Sequence, residues 1–240
     1  MSKTVLVLGA NSDVAKTAIK KYIEKGFFVY AASRNTTELK KFAEDNKYNS
    51  TQFEDRYFDA LAFESHNAFY NSLIQKPAIV LYAAGFLVTN EEAFQDFDSA
   101  FTMMKTNYCG AVSILNIISE DASNSHLERI IGLSSLSGVR GRKSNFIYGS
   151  TKAAFTQYLA GLRQHLAKRK VIVNAFVIGY VNTKINEGLE LNKSLMMEPE
   201  FVADKIVNSN SSFIQIPGWK WKKIHQILKV LPEWAVAKLP

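Results

Sequence analysis

Short β-rich runs recur along the chain at residues 4–9, 27–33, 52–59, 78–85, 129–135, 171–179 and 213–217. Helix-length segments lie between them at 13–25, 36–46, 63–75, about 98–119, 145–168 and 200–208. Runs such as Val5-Leu6-Val7-Leu8 are apolar throughout, which a strand needs when both of its faces are covered. Regular β–α alternation through seven such strands predicts an α/β chain built on a doubly wound parallel sheet. Beyond the last strand, Ile224, Ile227, Leu228 and Leu231 fall at i, i+3, i+4 and i+7, with Lys222, Lys223, Gln226 and Lys229 on the other faces. That spacing predicts an amphipathic helix, suited either to a membrane interface or to packing on its own subunit or a partner.

No internal repeat or low-complexity tract interrupts the chain, and Pro217-Gly218 is the one boundary the composition suggests. The expectation is one domain over residues 1–217 and a helical tail over 218–240. A length of 240 residues fits this. With 47% apolar and 21% charged residues, a disordered or collagen-like chain is excluded. The longest nearly apolar stretches, 78–88 and 171–181, fall short of the roughly 18–20 residues that cross a bilayer. The apolar start, Met1 to Ala10, is too short for a signal core and reads as a first strand.

A single cysteine, Cys109, forbids an internal disulfide and suits a reducing compartment, so a cytoplasmic location is expected, with Cys109 packed in the long helix near Asn107. His66, His126, His165 and His225 are widely spaced and predict no metal site. The net charge of +7 would invite a nucleic-acid partner, but its distribution argues otherwise. The tail holds five lysines against Glu233, a net +4, together with Trp219, Trp221 and Trp234, all the tryptophans of the chain. Charge concentrated on an apolar-striped tail points away from nucleic acid and towards a surface of another kind.

The first strand ends in Leu8-Gly9-Ala10-Asn11-Ser12-Asp13-Val14-Ala15 and runs directly into a helix. Backbone N–H groups and the positive helix end converge there, a place for phosphate. Asp13 and Ala15 stand where a glycine-rich loop would carry further glycines, so an ordinary junction capped by Ser12 or Asp13 remains open. Strand 2 ends in Ser33-Arg34-Asn35, and an Arg at that point accommodates the 2′-phosphate of NADP where an acidic residue would select NAD. Asp59-Ala60 closes strand 3 with a carboxylate able to accept from an adenine amino group. Ala83-Ala84-Gly85 closes strand 4 with residues small enough for a cofactor to lie over the sheet.

Tyr148-Gly149-Ser150-Thr151-Lys152 sets a phenol and an ammonium one helical turn apart. A fixed cation there is expected to lower the phenol pKa from about 10 towards the range of a working acid or base. Tyr180 and Lys184 repeat the spacing, but only Tyr148 has a hydroxyl, Ser135, thirteen residues upstream at a strand end; Ala167 holds that position for Tyr180.

Taken in order, the Gly9–Ala15 loop, Asp59, Ala83-Ala84-Gly85, Asn107, Ser135, Tyr148/Lys152 and Ile178-Gly179-Tyr180-Val181-Asn182-Thr183 resemble the short-chain dehydrogenase/reductase family over about residues 3–217. The resemblance implies a Rossmann-type fold, NADP(H) and hydride transfer between nicotinamide and a carbonyl or alcohol. It implies that Tyr148 gives or takes the proton, Ser135 holds the carbonyl, Lys152 binds the nicotinamide ribose and Asn107 organises a relay water. Gly9, Asn11, Ser12, Asp13, Val14, Ser33, Arg34, Asn35, Asp59, Ala60, Ala83, Ala84, Gly85, Tyr148, Lys152, Gly179, Val181 and Thr183 would line the cofactor site, Val181 and Thr183 holding the carboxamide. Family members pair their two long helices across subunits, which implies a homodimer or homotetramer. Ile178 stands where the family has Pro, leaving the loop over the nicotinamide less constrained.

Arg140, Arg142 and Lys143 lie between Ser135 and Tyr148. With the Ser12-Asp13-Val14 loop and the tail, this stretch is similar to a subgroup typified by decaprenylphosphoryl 2-keto-pentose reductases. The likeness implies a phosphate- or lipid-linked keto-sugar substrate and peripheral contact of 218–240 with the inner face of the membrane. A small soluble ketone, a 3-oxoacyl substrate, or NADP binding without turnover are the alternatives.

Overall fold

The computed structural model describes residues 3–184 and 192–239. Its elements are β1 (Thr4–Leu8), α1 (Asp13–Glu24), β2 (Phe28–Ser33), α2 (Thr36–Asp45), β3 (Phe53–Tyr57), α3 (His66–Asn71), β4 (Ile79–Tyr82), α4 (Asn90–Gln95), α5 (Phe97–Met104), α6 (Gly110–Glu120), β5 (Arg129–Ser135), α7 (Phe146–His165), β6 (Ile172–Ile178), α8 (Pro199–Val207), β7 (Ile214–Gln215), α9 (Trp219–Val230) and α10 (Glu233–Val236). The seven strands form one parallel sheet in the order β3-β2-β1-β4-β5-β6-β7. The expected doubly wound Rossmann-type α/β architecture is therefore present.

Side-chain alternation explains why the strands are apolar throughout. Val5 and Val7 of β1 face a core formed with α1, α2 and α8. Leu6 and Leu8 of the same strand face the opposite core, built with α3, α6 and α7. A strand buried on both faces has no position left for a polar residue. Leu8 sits in register with both Ala32 and Tyr82, so β1, β2 and β4 end level, and the order in which strands join the sheet reverses between β1 and β4. Crevices at such switch points, beyond the carboxyl ends of the strands, are where open α/β sheets take ligands.

Several predicted elements differ in extent. The helix expected at 98–119 is two helices, α5 and α6, joined by a π-helical turn over Lys105–Cys109. Cys109, expected inside that helix, is exposed. The segment 63–75 is a 3₁₀ turn followed by the six-residue α3. Strand 7 is reduced to Ile214–Gln215. Among the described residues, no helix is long and apolar enough to cross a membrane, and no three His, Cys, Asp or Glu side chains gather as a metal site.

Candidate active site

A cavity of about 730 Å³ opens along the carboxyl ends of the strands. Every residue expected at the site lines it except Asn35 and Asn107.

At one end lies the β1–α1 loop. Gly9 adopts φ +84°, and a β-carbon on it would fall 2.3 Å from the Ala84 backbone nitrogen, so neither the conformation nor the space admits a side chain. Asn11 ties this loop to the end of β2 through Nδ2, which donates to Ser33 Oγ (3.0 Å) and the Asn35 carbonyl (2.9 Å). Asn35 itself caps α2, its side chain accepting from Glu38 N–H at 3.2 Å. Its role is thus to support the wall of the cavity from behind. The capping bond expected of Ser12 or Asp13 is not formed. Asp13 Oδ2 instead accepts from the Lys184 N–H at 2.9 Å, bridging the β1–α1 loop to the segment after β6.

Arg34 is exposed at the rim of the cavity, immediately after β2. Asp59 Oδ1 accepts from Leu61 N–H (3.0 Å), and the Asp59 carbonyl bonds to Nε2 of the fully buried His66 (2.9 Å), which stacks on Phe58. The floor between these groups is Ala83-Ala84-Gly85, fixed to β1 by the Ala83 N–H bond to the Leu8 carbonyl at 2.8 Å. A cradle of small residues that a β-carbon at Gly9 would fill fits a dinucleotide lying across the switch point.

The reacting groups gather at the end of β5. Tyr148 and Lys152 share one face of α7, with Ser135 at the last position of β5. The Tyr148 phenol faces Ser135, whose Oγ accepts from Ser137 N–H at 3.2 Å. Lys152 Nζ donates to the Leu133 carbonyl at 3.0 Å and stands 5.7 Å from the Tyr148 ring centre. The expected depression of the phenol is not what this arrangement produces. Burial pushes Tyr148 up to about 12 against the opposing effect of the Ser135 hydroxyl, and burial pushes Lys152 down to about 8. Desolvation disfavours the charged form of each group, and the ammonium is directed to a backbone carbonyl, so proximity in the helix is outweighed. At neutral pH the phenol therefore keeps its proton.

Asn107, fully buried in the π-helical turn, does not reach the cavity. Its Oδ1 accepts from Phe86 N–H (2.8 Å), and its Nδ2 donates to the Phe86 carbonyl (2.9 Å) and Thr151 Oγ1 (3.1 Å). Thr151 in turn donates to the Tyr148 carbonyl at 2.8 Å. One amide thus clamps the β4–α4 loop to the helix that carries Tyr148. A π-turn at such a place supplies the extra residue that turns the side chain inward. The second Tyr–Lys pair also lines the cavity but is engaged with other partners: Tyr180 meets Trp221 edge-on at 5.0 Å, and Lys184 pairs with Glu38 at 3.8 Å.

Residues 3–194 match the family pattern described as short chain dehydrogenase. The chain belongs to that family. Among similar sequences, an uncharacterized oxidoreductase of Staphylococcus epidermidis is 25% identical over 208 residues, covering 85% of this chain and 89% of that one. A probable NADP-dependent dehydrogenase of Haemophilus influenzae is 29% identical over 178 residues, covering 71% of this chain and 68% of its own. Among solved structures, a gluconate 5-dehydrogenase from Burkholderia cenocepacia in complex with NADP and tartrate superposes with a TM-score of 0.82 at 15% identity, covering 93% of this chain and 96% of that one.

In this family member, α9 forms a wall of the cavity that the sequence pattern did not foretell. Trp221, Ile224 and Leu228 line it, and Trp221, His225 and Leu228 are buried. The apolar side chains of the expected stripe divide: Leu228 faces inward, whereas Ile227 is 55% exposed. Arg140 locks the helix end in place, its Nε donating to the Leu228 carbonyl (3.0 Å) and its Nη1 pairing with Glu233 (2.5 Å). The only advance signal was Gly179, a small residue beside which a large ring can settle.

Proposed function

We propose that this chain is an NADPH-dependent reductase that converts the ketone of a phosphate- or lipid-linked sugar to an alcohol. The observation that carries this is the meeting of Ser135, a protonated Tyr148 and Lys152 at one point of the cavity wall. NADP(H) fits the rest of the cavity: the Gly9 loop and the start of α1 offer N–H groups to its pyrophosphate, and Arg34 offers a cation to a 2′-phosphate. The names of the similar proteins support the same cofactor.

When bound, NADPH supplies the hydride. The protein's part is to receive the charge that develops on the substrate oxygen. Ser135 Oγ–H donates to the carbonyl oxygen, and Tyr148 transfers its phenolic proton to that oxygen as it becomes an alcohol. A phenol whose pKa burial raises carries its proton at neutral pH, the form that reduction needs. The Lys152 ammonium favours the tyrosinate left behind. Asn107 acts through Thr151 and Phe86 as a positioning residue.

The lipid-linked substrate finds support in the two faces of α9. Its inner face contributes apolar wall to the cavity. On the rest of the tail, Trp219, Ile227, Val230 and Trp234 are 64%, 55%, 79% and 69% exposed, amid Lys220, Lys222, Lys223 and Lys229. Exposed tryptophan and aliphatic residues interleaved with lysine suit the interface of an anionic bilayer. A screen of NADPH oxidation tests the reductase reading, with keto-sugar phosphates expected to be consumed faster than small soluble ketones or 3-oxoacyl thioesters. Oxidation with the small ketones alone, or with none of these, would overturn it.

A further inference from the structure

Three cations lie between Ser135 and Tyr148, and the structure gives each a different use. Arg140 is consumed by the tail, bonded to the Leu228 and Leu231 carbonyls and to Glu233. Lys143 is exposed, and it is absent from the cavity wall. Arg142 lines the cavity, and its Nε is buried with no hydrogen-bond partner. Close by in the chain, Asn145 also lines the cavity; its Nδ2 donates to Ser137 Oγ at 2.9 Å, while its Oδ1 is buried and unpartnered.

A buried guanidinium N–H without a partner is costly, and a native fold retains one where a ligand completes it. Trp221, Ile224 and Leu228 line the same cavity, so an anion bonded to Arg142 there has apolar surface around it, where a charge-assisted bond is stronger than in water. We propose that Arg142 is the anion-binding residue of the substrate subsite. It takes a phosphoryl group of the substrate through its planar fork, and Asn145 Oδ1 accepts from a substrate hydroxyl beside it. Arg142 precedes Tyr148 by six residues, through the start of α7. Arg142, Ser135 and Tyr148 line the same cavity, so one substrate can meet all three. The assignment rests on the reductase reading for the position of that carbonyl, but its test does not.

The protein is first saturated with NADP+, so that the cofactor's own phosphate positions are filled, and methyl phosphate or acetate is then titrated by calorimetry. The wild type is expected to bind methyl phosphate in the millimolar range and more tightly than acetate. Arg142→Gln should weaken methyl phosphate by at least about tenfold, the loss of one charge-assisted bond. Lys143→Gln should leave it within about twofold of wild type, a difference below 0.5 kcal/mol by the same relation, roughly. The melting temperature of Arg142→Gln checks that the variant is folded. Equal methyl phosphate binding by wild type and Arg142→Gln, or none by the wild type, overturns the proposal. NADP+ binding is measured first, so a failure of the cofactor reading shows itself separately.

Discussion

Gly179 lies against the indole of Trp221, so close that a β-carbon at position 179 would fall 2.1 Å from the ring. The indole Nε1 donates to the Leu195 carbonyl at 2.9 Å, and Tyr180 covers the ring edge-on. A tail residue is thereby built against the segment that follows β6, in the cavity wall. Trp221 is only 5% exposed. Trp221→Ala should destabilise the fold by about 3–5 kcal/mol, the usual cost of removing a large buried aromatic. Urea unfolding measures this, and a loss under about 1 kcal/mol, the scale of a surface change, would mean that the tail is not part of the core.

Arg34 stands at the rim where β2 ends. If it meets a 2′-phosphate, Arg34→Asp should lower kcat/KM with NADPH by at least about tenfold and leave NADH less affected, since one charge-assisted bond is worth about 1.5–3 kcal/mol. An unchanged ratio of the two coenzymes would remove Arg34 from the site.

The displaced pKa values predict an opposed pH dependence of stability. Lys152 is lowered from 10.5 to about 8 in the folded chain. Between those values the unfolded chain binds more protons, so stability rises with pH across that window. Tyr148 is raised from 10.0 to about 12, and burial also raises Tyr22, Tyr70, Tyr82 and Tyr158. Their contribution falls as pH climbs above 10, because the unfolded chain then loses the phenolic protons first. Denaturant unfolding at a series of pH values from about 8 to about 10, the lower part of the Lys152 window, should show a gain in the wild type that is smaller in Lys152→Met. An equal gain in both would assign it to other groups.

Contact with a bilayer is best tested without truncating the tail, since a chain ending at residue 217 would lose Trp221 from the core. Trp219→Ser and Trp234→Ser change exposed side chains only. The wild type should sediment with vesicles rich in anionic lipid and release at high salt, whereas the double variant should remain in the supernatant. Equal sedimentation by both proteins would reject these residues as the contact.

The doubly wound sheet was legible because two-sided burial leaves a plain mark: Val5, Leu6, Val7 and Leu8 have no polar neighbour among them. Local chemistry was legible where a rare arrangement coincided with a strand end, as at Ser135 and Tyr148. What escaped depends on tertiary placement. Asn107 turns inward through a π-turn that helical periodicity does not encode. Short α4 and α10 carry too few residues to show a period. The spacing of Ile224, Ile227, Leu228 and Leu231 marks a stripe, but the docking of Trp221 on Gly179 leaves Ile227 outside. The Tyr148–Lys152 spacing gives proximity but says nothing of the desolvation that raises the phenol pKa. The uses of Arg140 and Arg142 diverge for a similar reason: adjacent cations look alike until one is seen bonded to α9 and its neighbour facing the cavity.

The most direct measurement is NADPH oxidation by wild type and Tyr148→Phe with a ketone that the wild type reduces, paired with NADPH binding followed by fluorescence. The phenylalanine keeps the ring and removes only the proton donor. Turnover should fall by about 10²–10⁴-fold, the range for loss of a general acid, while the Kd for NADPH stays near the wild-type value. Turnover within a few fold of wild type, with binding intact, would contradict the assignment of Tyr148 as the proton donor.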